Sequence, residues 1–347
     1  MCRGTSRDFL SGAHQPRWYA MIDGNYSRVA NNPEKGGNHM RRLLIDTDCG
    51  SDDAVALLIA FRSPDVVVEA ITTVAGNVGM EQATQNTLYT MEFCGANVPV
   101  YKGLAKPILG SHADAKSIHG EDGMGNQNFP LAKATAQEEH AVDALIRLIR
   151  ANPGELTLVT LGPLSNIATA LLRDPAIAGL VKETVVMGGA ANVIANVTPS
   201  AEYNIWEDPE AARIVFSSGM PLVMVGIELC RGDAVYGPED QRRLRAMNSR
   251  YADFVLNINQ VLIGAVAKYG IDGIDMPDPI TMAIAIDRSL LLEQAFCYVD
   301  VETTGELTRG ETVVDRFGVF ERPANCTVGL RSDGPGFKRM LDGLLVE

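Results

Sequence analysis

Short apolar runs stop at polar turns and are followed by longer amphipathic stretches along most of this chain. Residues 43–45, Leu-Leu-Ile, form such a run and end at Asp46, and Asp53 then opens a predicted helix over 54–61. The alternation continues with a strand over 66–74, a helix over 81–94, a short strand over 98–101 and a helix over 138–150. A strand over 156–161 closes at Gly162-Pro163, followed by a helix over 165–172, a strand over 184–187, a helix over 209–217 and a strand over 222–225. Strands alternating with helices at this spacing predict an α/β fold, an open and mostly parallel sheet covered by helices on both faces. In such sheets ligands sit beyond the carboxyl ends of the strands. The polar clusters fall there: 46–53, Asn77, Gly162 and the stretch after Met187. The tail differs, with strands expected over 296–301 and 311–314 about a polar turn at Gly305, after an apolar helix over 280–286.

With 347 residues and 46% hydrophobic content, the chain can bury a large core. A net charge of -13 gives no drive toward nucleic acid polymers or anionic membranes, and no apolar run reaches the roughly 18 residues of a membrane span. The six cysteines form no CxxC pair; Cys94, Cys230 and Cys297 read as buried thiols, so a reducing, cytoplasmic setting is expected. Residues 1–40 carry Gly, Pro and Asn without periodicity. They read as an irregular extension, either a surface arm or sequence upstream of a start at Met40, ahead of a single catalytic domain over 41–347.

The sharpest local signal is Asp46-Thr47-Asp48-Cys49-Gly50-Ser51-Asp52-Asp53, four carboxylates at one strand-to-helix turn. Charges this close repel unless a cation sits among them, and a hard cation bound by carboxylate oxygens answers that repulsion. Helix capping accounts for Asp52 or Asp53 but not the whole group. The same letters also suit a magnesium phosphohydrolase with Asp46 as aspartyl nucleophile and Asp48 as acid, which would need a downstream lysine such as Lys182. Asn196, Glu202 and Asn204 share a loop whose amides and carboxylate suit hydroxyl-rich ligands, although a solvated loop would read alike. His119 stands in a Gly-punctuated loop, and Asp278 lies between two prolines. No P-loop, dinucleotide fingerprint or Gly-x-Ser-x-Gly elbow is found where one would be needed.

Taken together, DTDCGSDDA at 46–54, TTVAGN at 72–77, IHGEDGMG at 118–125, TLGPLSNIA at 160–168, MGG at 187–189, NVTPSAEYNIWEDPEAA at 196–212 and PDP at 277–279 resemble the nucleoside hydrolase family of the inosine-uridine-preferring type. The resemblance spans about residues 42–329. It implies hydrolysis of ribonucleosides to ribose and free purine or pyrimidine base, with one Ca2+ held by Asp48, Asp53, Asp278 and the carbonyl of Leu161. It further implies Asp48 as the base that activates water, Asp46 as a brace for the turn, and Asp52 on the 2'-hydroxyl. Asn204 would take the 3'-hydroxyl and Asn196 and Glu202 the 5' end, while Asn77 would line the sugar site and His119 the mouth near the base. Members are usually homodimers or homotetramers. Many carry histidine immediately before the last metal aspartate, where it protonates the leaving base; here that position is Pro277. Either a different acid serves, with Tyr251, Tyr269 and His119 as candidates, or the base is activated by other contacts. The departure also keeps a non-catalytic nucleoside- or ribose-binding protein open beside the enzyme.

Overall fold

The computed structural model describes residues 40–191 and 193–347, so the expected extension over 1–40 lies, but for Met40, outside the described residues. In chain order the elements are β1 (Arg41–Thr47), α1 (Ser51–Arg62), β2 (Val66–Thr73), α2 (Met80–Phe93), β3 (Val100–Lys102), α3 (Lys116–His119), α4 (Ala141–Ala151), β4 (Leu156–Thr160), α5 (Ser165–Arg173) and β5 (Glu183–Met187). They continue with α6 (Tyr203–Glu207), α7 (Pro209–Phe216), β6 (Leu222–Val225), α8 (Pro238–Ala246), α9 (Arg250–Ile258), α10 (Gln260–Val266), α11 (Pro277–Ile286), β7 (Leu291–Val301), β8 (Thr312–Asp315), β9 (Cys326–Ser332) and α12 (Gly334–Leu344).

The strands form one nine-stranded sheet in the order β3-β2-β1-β4-β5-β6-β9-β7-β8. All pairs from β3 to β9 are parallel; β7 runs antiparallel to β9, and β8 antiparallel to β7. The mostly parallel α/β architecture expected from the pattern is therefore present. Side chains alternate between two cores. Leu43, Ile45, Val185 and Val223 pack with α1, α2, α9, α11 and α12, whereas Leu44, Leu158, Val186 and Met224 pack with α4, α5 and α7. Helix α1 is buried over its first ten residues: Ser51, Asp52 and Asp53 form a buried polar first turn, and Ala54 to Ala60 are apolar on every side. No helix among the described residues is long and apolar enough to cross a membrane.

Several boundaries shift for local reasons. Helix α1 begins at Ser51, not Asp53, because the Asp53 carboxylate reaches back to the Gly50 amide at 2.8 Å and closes the first turn. Helix α4 begins at Ala141, three residues later than expected, where the His140 ring accepts from the Val142 amide. Strand β3 is confined to Val100–Lys102 because Pro99 lacks the N–H that pairing requires. Strand β7 starts at Leu291, five residues earlier than expected, and register shifts around Glu293 blur its alternation. Cys94 is only half-buried, while Cys230 and Cys297 are buried as expected.

The direction of the sheet order reverses between β1 and β4, which leaves a crevice at their carboxyl ends. Asp46, next to last in β1, has Thr72 of β2 and Thr160 of β4 as its neighbours in register. Buried Asn166, near the start of α5, ties this junction together. Its amide donates to Asp46 Oδ1 at 2.8 Å and to the Thr73 carbonyl at 3.0 Å, and its oxygen accepts from the Leu104 amide at 2.9 Å. Removing that hub leaves buried polar groups without partners. Asn166→Ala is expected to lower the unfolding free energy by about 2–4 kcal/mol, read from urea denaturation, whereas an unchanged midpoint would deny it this role.

Candidate active site

The β1–α1 turn is built to hold carboxylates. Asp53 takes the Thr47 hydroxyl at 2.5 Å, the Gly50 amide at 2.8 Å and the Asn77 side-chain amide at 3.0 Å, at the positive end of α1. Asp48 Oδ2 accepts from the Asn77 backbone amide at 2.6 Å. The Asp48 side chain fits only because residues 76 and 162 are glycine. A Cβ on Gly76 would stand 1.9 Å from Asp48 Oδ2, and one on Gly162 would stand 2.8 Å from Oδ1. Asp46 accepts from the Thr72 hydroxyl and from Asn166.

Carboxylate oxygens of Asp52, Asp53 and Asp278 converge within 4.8 Å of one another, with Asp278 supplied by the first turn of α11. Burial, followed by the neighbouring negative charges, pushes Asp48 and Asp278 well above the usual carboxylate range and raises Asp53 as well. Asp52 is raised by burial to about 6, and Asp46 by burial to about 7. Among the described residues no lysine or arginine forms an ion pair with any of these five carboxylates, and Asp48 Oδ1 and Asp52 Oδ1 are buried without a hydrogen-bond partner. An all-oxygen donor set with unbalanced negative charge fits a hard cation such as calcium better than a soft one.

Above this layer opens a cavity of about 910 Å³. Its lining includes Asp52, Asn77, His119, Leu161, Asn196, Glu202, Asn204 and Asp278, so eight of the residues singled out in the sequence share one wall system. Asp46, Asp48 and Asp53 lie beneath it, fully buried. The Leu161 carbonyl accepts from Asn204 Nδ2 at 2.7 Å, and the Met187 carbonyl accepts from the same nitrogen at 3.2 Å. Glu202 caps the short helix α6, accepting from the amides of Gly189 at 2.9 Å and Asn204 at 3.1 Å, and burial lifts its carboxyl to about 7. Asn196 accepts from the Tyr203 amide at 3.0 Å. The expected solvated alternative for this loop does not hold, since Glu202 and Asn204 are both buried. His119 Nδ1 lies 3.0 Å from Ser51 Oγ and 3.5 Å from Asp52 Oδ1, and burial lowers its pKa to about 4.

Two expectations fail. Tyr251 is not at the cavity: its hydroxyl accepts from Arg250, its ring lies under the Arg62 guanidinium, and it packs edge-on to Phe93. Asp46 is a poor nucleophile for phosphate, being fully buried with one oxygen taken by Thr72 and Asn166, and Lys182 does not line the cavity. The cavity also takes in Trp206, Arg231, Tyr269 and Asp275. Trp206 stands inside a quoted motif, but nothing in the local pattern around Arg231 or Asp275 marks either as a cavity residue.

The chain matches the family model described as inosine-uridine preferring nucleoside hydrolase over residues 43–339. It is 38% identical over 298 residues to the pyrimidine-specific ribonucleoside hydrolase RihB of Escherichia coli (strain SE11), covering 86% of this chain and 94% of that one. Its fold matches the plant nucleoside hydrolase PpNRh1 with a TM-score of 0.84 at 34% identity, covering 88% of this chain and 99% of the plant chain. A purine-preferring ribonucleoside hydrolase from Gardnerella vaginalis matches with a TM-score of 0.81 at 30% identity and the same coverage.

The raised carboxyl pKa values carry a linkage consequence. Asp46 and Glu202, each near 7, and Asp52, near 6, keep protons in the folded state that the unfolded chain has already released. Metal-free protein should therefore lose stability as pH rises from about 4 to about 7. His119, depressed to about 4, works in the opposite sense up to its ordinary 6.5, but one imidazole opposes three carboxyls. In chelator, the urea midpoint is expected to be lower near pH 7.5 than near pH 5, and Glu202→Gln should flatten the difference. A midpoint that rises over this interval would contradict the arrangement.

Proposed function

The chain belongs to the inosine-uridine preferring nucleoside hydrolase family, and from that premise we propose that it cleaves ribonucleosides with calcium held by Asp48, Asp53, Asp278 and the Leu161 carbonyl. It is an enzyme, an N-ribosyl hydrolase that releases ribose and free base. The observation that carries the calcium reading is the group of buried carboxylates without a compensating cation, lying under a cavity lined by hydroxyl-binding side chains. The relatives' names divide between pyrimidine-specific and purine-preferring, so the substrate class proposed here is the ribonucleoside, of either base type.

The ion, when bound, supplies a grip on the ribose diol and a Lewis acid for water. The chain's own residues supply the rest. Asp48 has one oxygen fixed by Asn77 and the other without a hydrogen-bond partner, a placement that suits it to take a proton from the attacking water. Asp52 Oδ1, also unbonded, accepts the 2'-hydroxyl. With Asn204 Nδ2 engaged by the Leu161 and Met187 carbonyls, its oxygen is left to accept the 3'-hydroxyl. Asn196 and Glu202 hold the 5' end, Asn77 borders the sugar and His119 faces the base near the mouth. Positive charge building on the ribose ring is stabilised by the surrounding carboxylates. Because hydroxyl contacts that strengthen in the transition state raise turnover, loss of the 2'-hydroxyl should cost rate as well as affinity.

Residues 41–347 act as one catalytic domain in this reading, supported by a single sheet that runs from Arg41 to Ser332. Free thiols at Cys49, Cys94, Cys230, Cys297 and Cys326 support a reducing, cytoplasmic setting. A homodimer or homotetramer rests on the family resemblance and is checked by light scattering.

Chelated protein is expected to release no base from uridine or inosine and to recover on titration with calcium; full activity in demonstrably metal-free protein would overturn the calcium reading. Asp48→Asn should keep its fold yet lose roughly 10²-fold or more in kcat, as expected for loss of a general base. Release of phosphate from a nucleotide, without base release from any nucleoside, would instead support a phosphohydrolase. Nucleoside binding without cleavage across a broad purine and pyrimidine panel would support a binding protein.

A further inference from the structure

Breaking an N-glycosidic bond expels a nitrogen base, and the expulsion is slow unless that nitrogen is protonated as it leaves. Pro277, at the residue before Asp278, has no proton to give. An acid of the chain, if it is to meet the base, has to come from another group that borders the cavity.

Most titratable groups on the lining are committed elsewhere. Glu202 caps α6 with both oxygens. The Tyr203 hydroxyl donates to the Ala113 carbonyl at 2.7 Å, and burial pushes it above its ordinary value. His119 is held neutral by burial, and Ser51 occupies its Nδ1. Tyr269 stands exposed on a short turn at the rim, beside Lys268. Asp275 differs from all of these. It lines the cavity, is only 7% exposed, and its carboxyl takes no hydrogen bond from another described residue.

We propose that Asp275 is the general acid that protonates the departing base. The inference rests on the ribonucleoside hydrolase reading above. Asp275 sits two residues before Pro277 and three before Asp278, and its charge is felt at Asp52, the residue assigned to the 2'-hydroxyl. It shares with Asp52 the cavity in which the glycosidic bond of a bound ribonucleoside would lie. Its backbone is fixed on both sides. On one side Ile274 and Tyr236 exchange amide–carbonyl bonds of 2.9 and 3.1 Å, and on the other α11 begins at Pro277. Gly273 permits the close approach: its φ is +149°, and a Cβ there would stand 2.4 Å from the Tyr236 carbonyl. A carboxyl on so short a tether is held ready without reorganisation. Burial raises its proton affinity, and Arg231 opposes the rise only in part.

The proton balance closes. As the C1'–N bond breaks, its electron pair leaves with the base and the Asp275 proton goes to the base nitrogen. Water forms the new C1'–O bond and gives its proton to Asp48. Asp275 then recovers a proton from solvent, and Asp48 gives up its own to solvent.

The test compares uridine and inosine with a 4-nitrophenyl riboside, whose leaving group needs no protonation, in calcium-loaded enzyme. Asp275→Asn is expected to lower kcat on the natural nucleosides by roughly 10²- to 10⁴-fold. Turnover of the activated riboside should fall by less than about tenfold, with calcium affinity by calorimetry unchanged. An equal fall on both substrates, or no fall on the natural ones, overturns the assignment. If the Asn variant does not fold, Asp275→Ala and Asp275→Glu give the same reading. Glu, still an acid, should hold the natural-to-activated ratio nearer to wild type than Ala does, and identical ratios would overturn the proposal. Wild-type enzyme that releases neither base nor nitrophenol would overturn the proposed function, and this inference with it. Wild type active on uridine or inosine with Asp275→Asn unaffected would overturn this inference alone.

Discussion

Electrostatic repulsion among carboxylates at the end of β1 is the constraint on which the rest of the site depends. Asp46, Asp48, Asp52, Asp53 and Asp278 are buried together, and desolvation and mutual charge oppose their ionisation. A fold keeps such a group only if donors surround it. Here they are backbone amides of Gly50 and Asn77, the hydroxyls of Thr47 and Thr72, and the amides of Asn77 and Asn166. The two glycines that make room for Asp48 lie in the turns that follow β2 and β4, the strands flanking β1. Sheet order, turn chemistry and side-chain size thus answer one electrostatic problem. The donors reduce the cost of burial but add no positive charge, and the calcium proposal rests on that imbalance.

The two halves of the cavity are built differently. The floor belongs to strand ends and first helical turns, which are braced by the sheet. The upper wall comes from the segments around Asn196, Arg231, Tyr269 and Asp275, where short turns and single bridges set the backbone. Ribose is common to every ribonucleoside, whereas bases differ in size and hydrogen-bonding edge. A rigid floor under a more variable upper wall fits that division of chemistry.

Much of this was legible in the sequence because each parallel strand is a short apolar run ending in a polar turn. Leu43 to Ile45, Leu156 to Thr160 and Leu222 to Val225 announced themselves, as did the acidic turn they position. Strand β9 did not. It contains Thr327, Gly329, Arg331 and Ser332, and it enters the sheet between β6 and β7 through long-range pairing that no local period reveals. Helix α8 buries only Leu244 and carries Arg242, Arg243 and Arg245, so it has no apolar stripe to read. Tyr251 misled for the opposite reason: a tyrosine in an apolar helix can serve a core as well as a cavity, and here Phe93 and Arg62 claim it. Asp275 carries no distinguishing local signal because aspartate recurs at every third residue through Asp272, Asp275 and Asp278, and only folding brings it to the cavity that Asp52 also lines.

Chains 38% and 30% identical to this one carry names with opposite base preferences, and the match to the purine-preferring structure still reaches a TM-score of 0.81. Shared architecture therefore does not determine the base. If the floor alone supplied the rate, base-side changes would alter affinity and little else. Departure of the base, however, is part of the bond-breaking step, so a group that meets the base in the transition state acts on turnover itself. A proline in place of a titratable group at residue 277 changes which upper-wall residue can do this while leaving Asp278 on its helix. The sugar site can thus stay constant while the leaving-group chemistry moves to a neighbouring segment, because the two are attached to different parts of the fold.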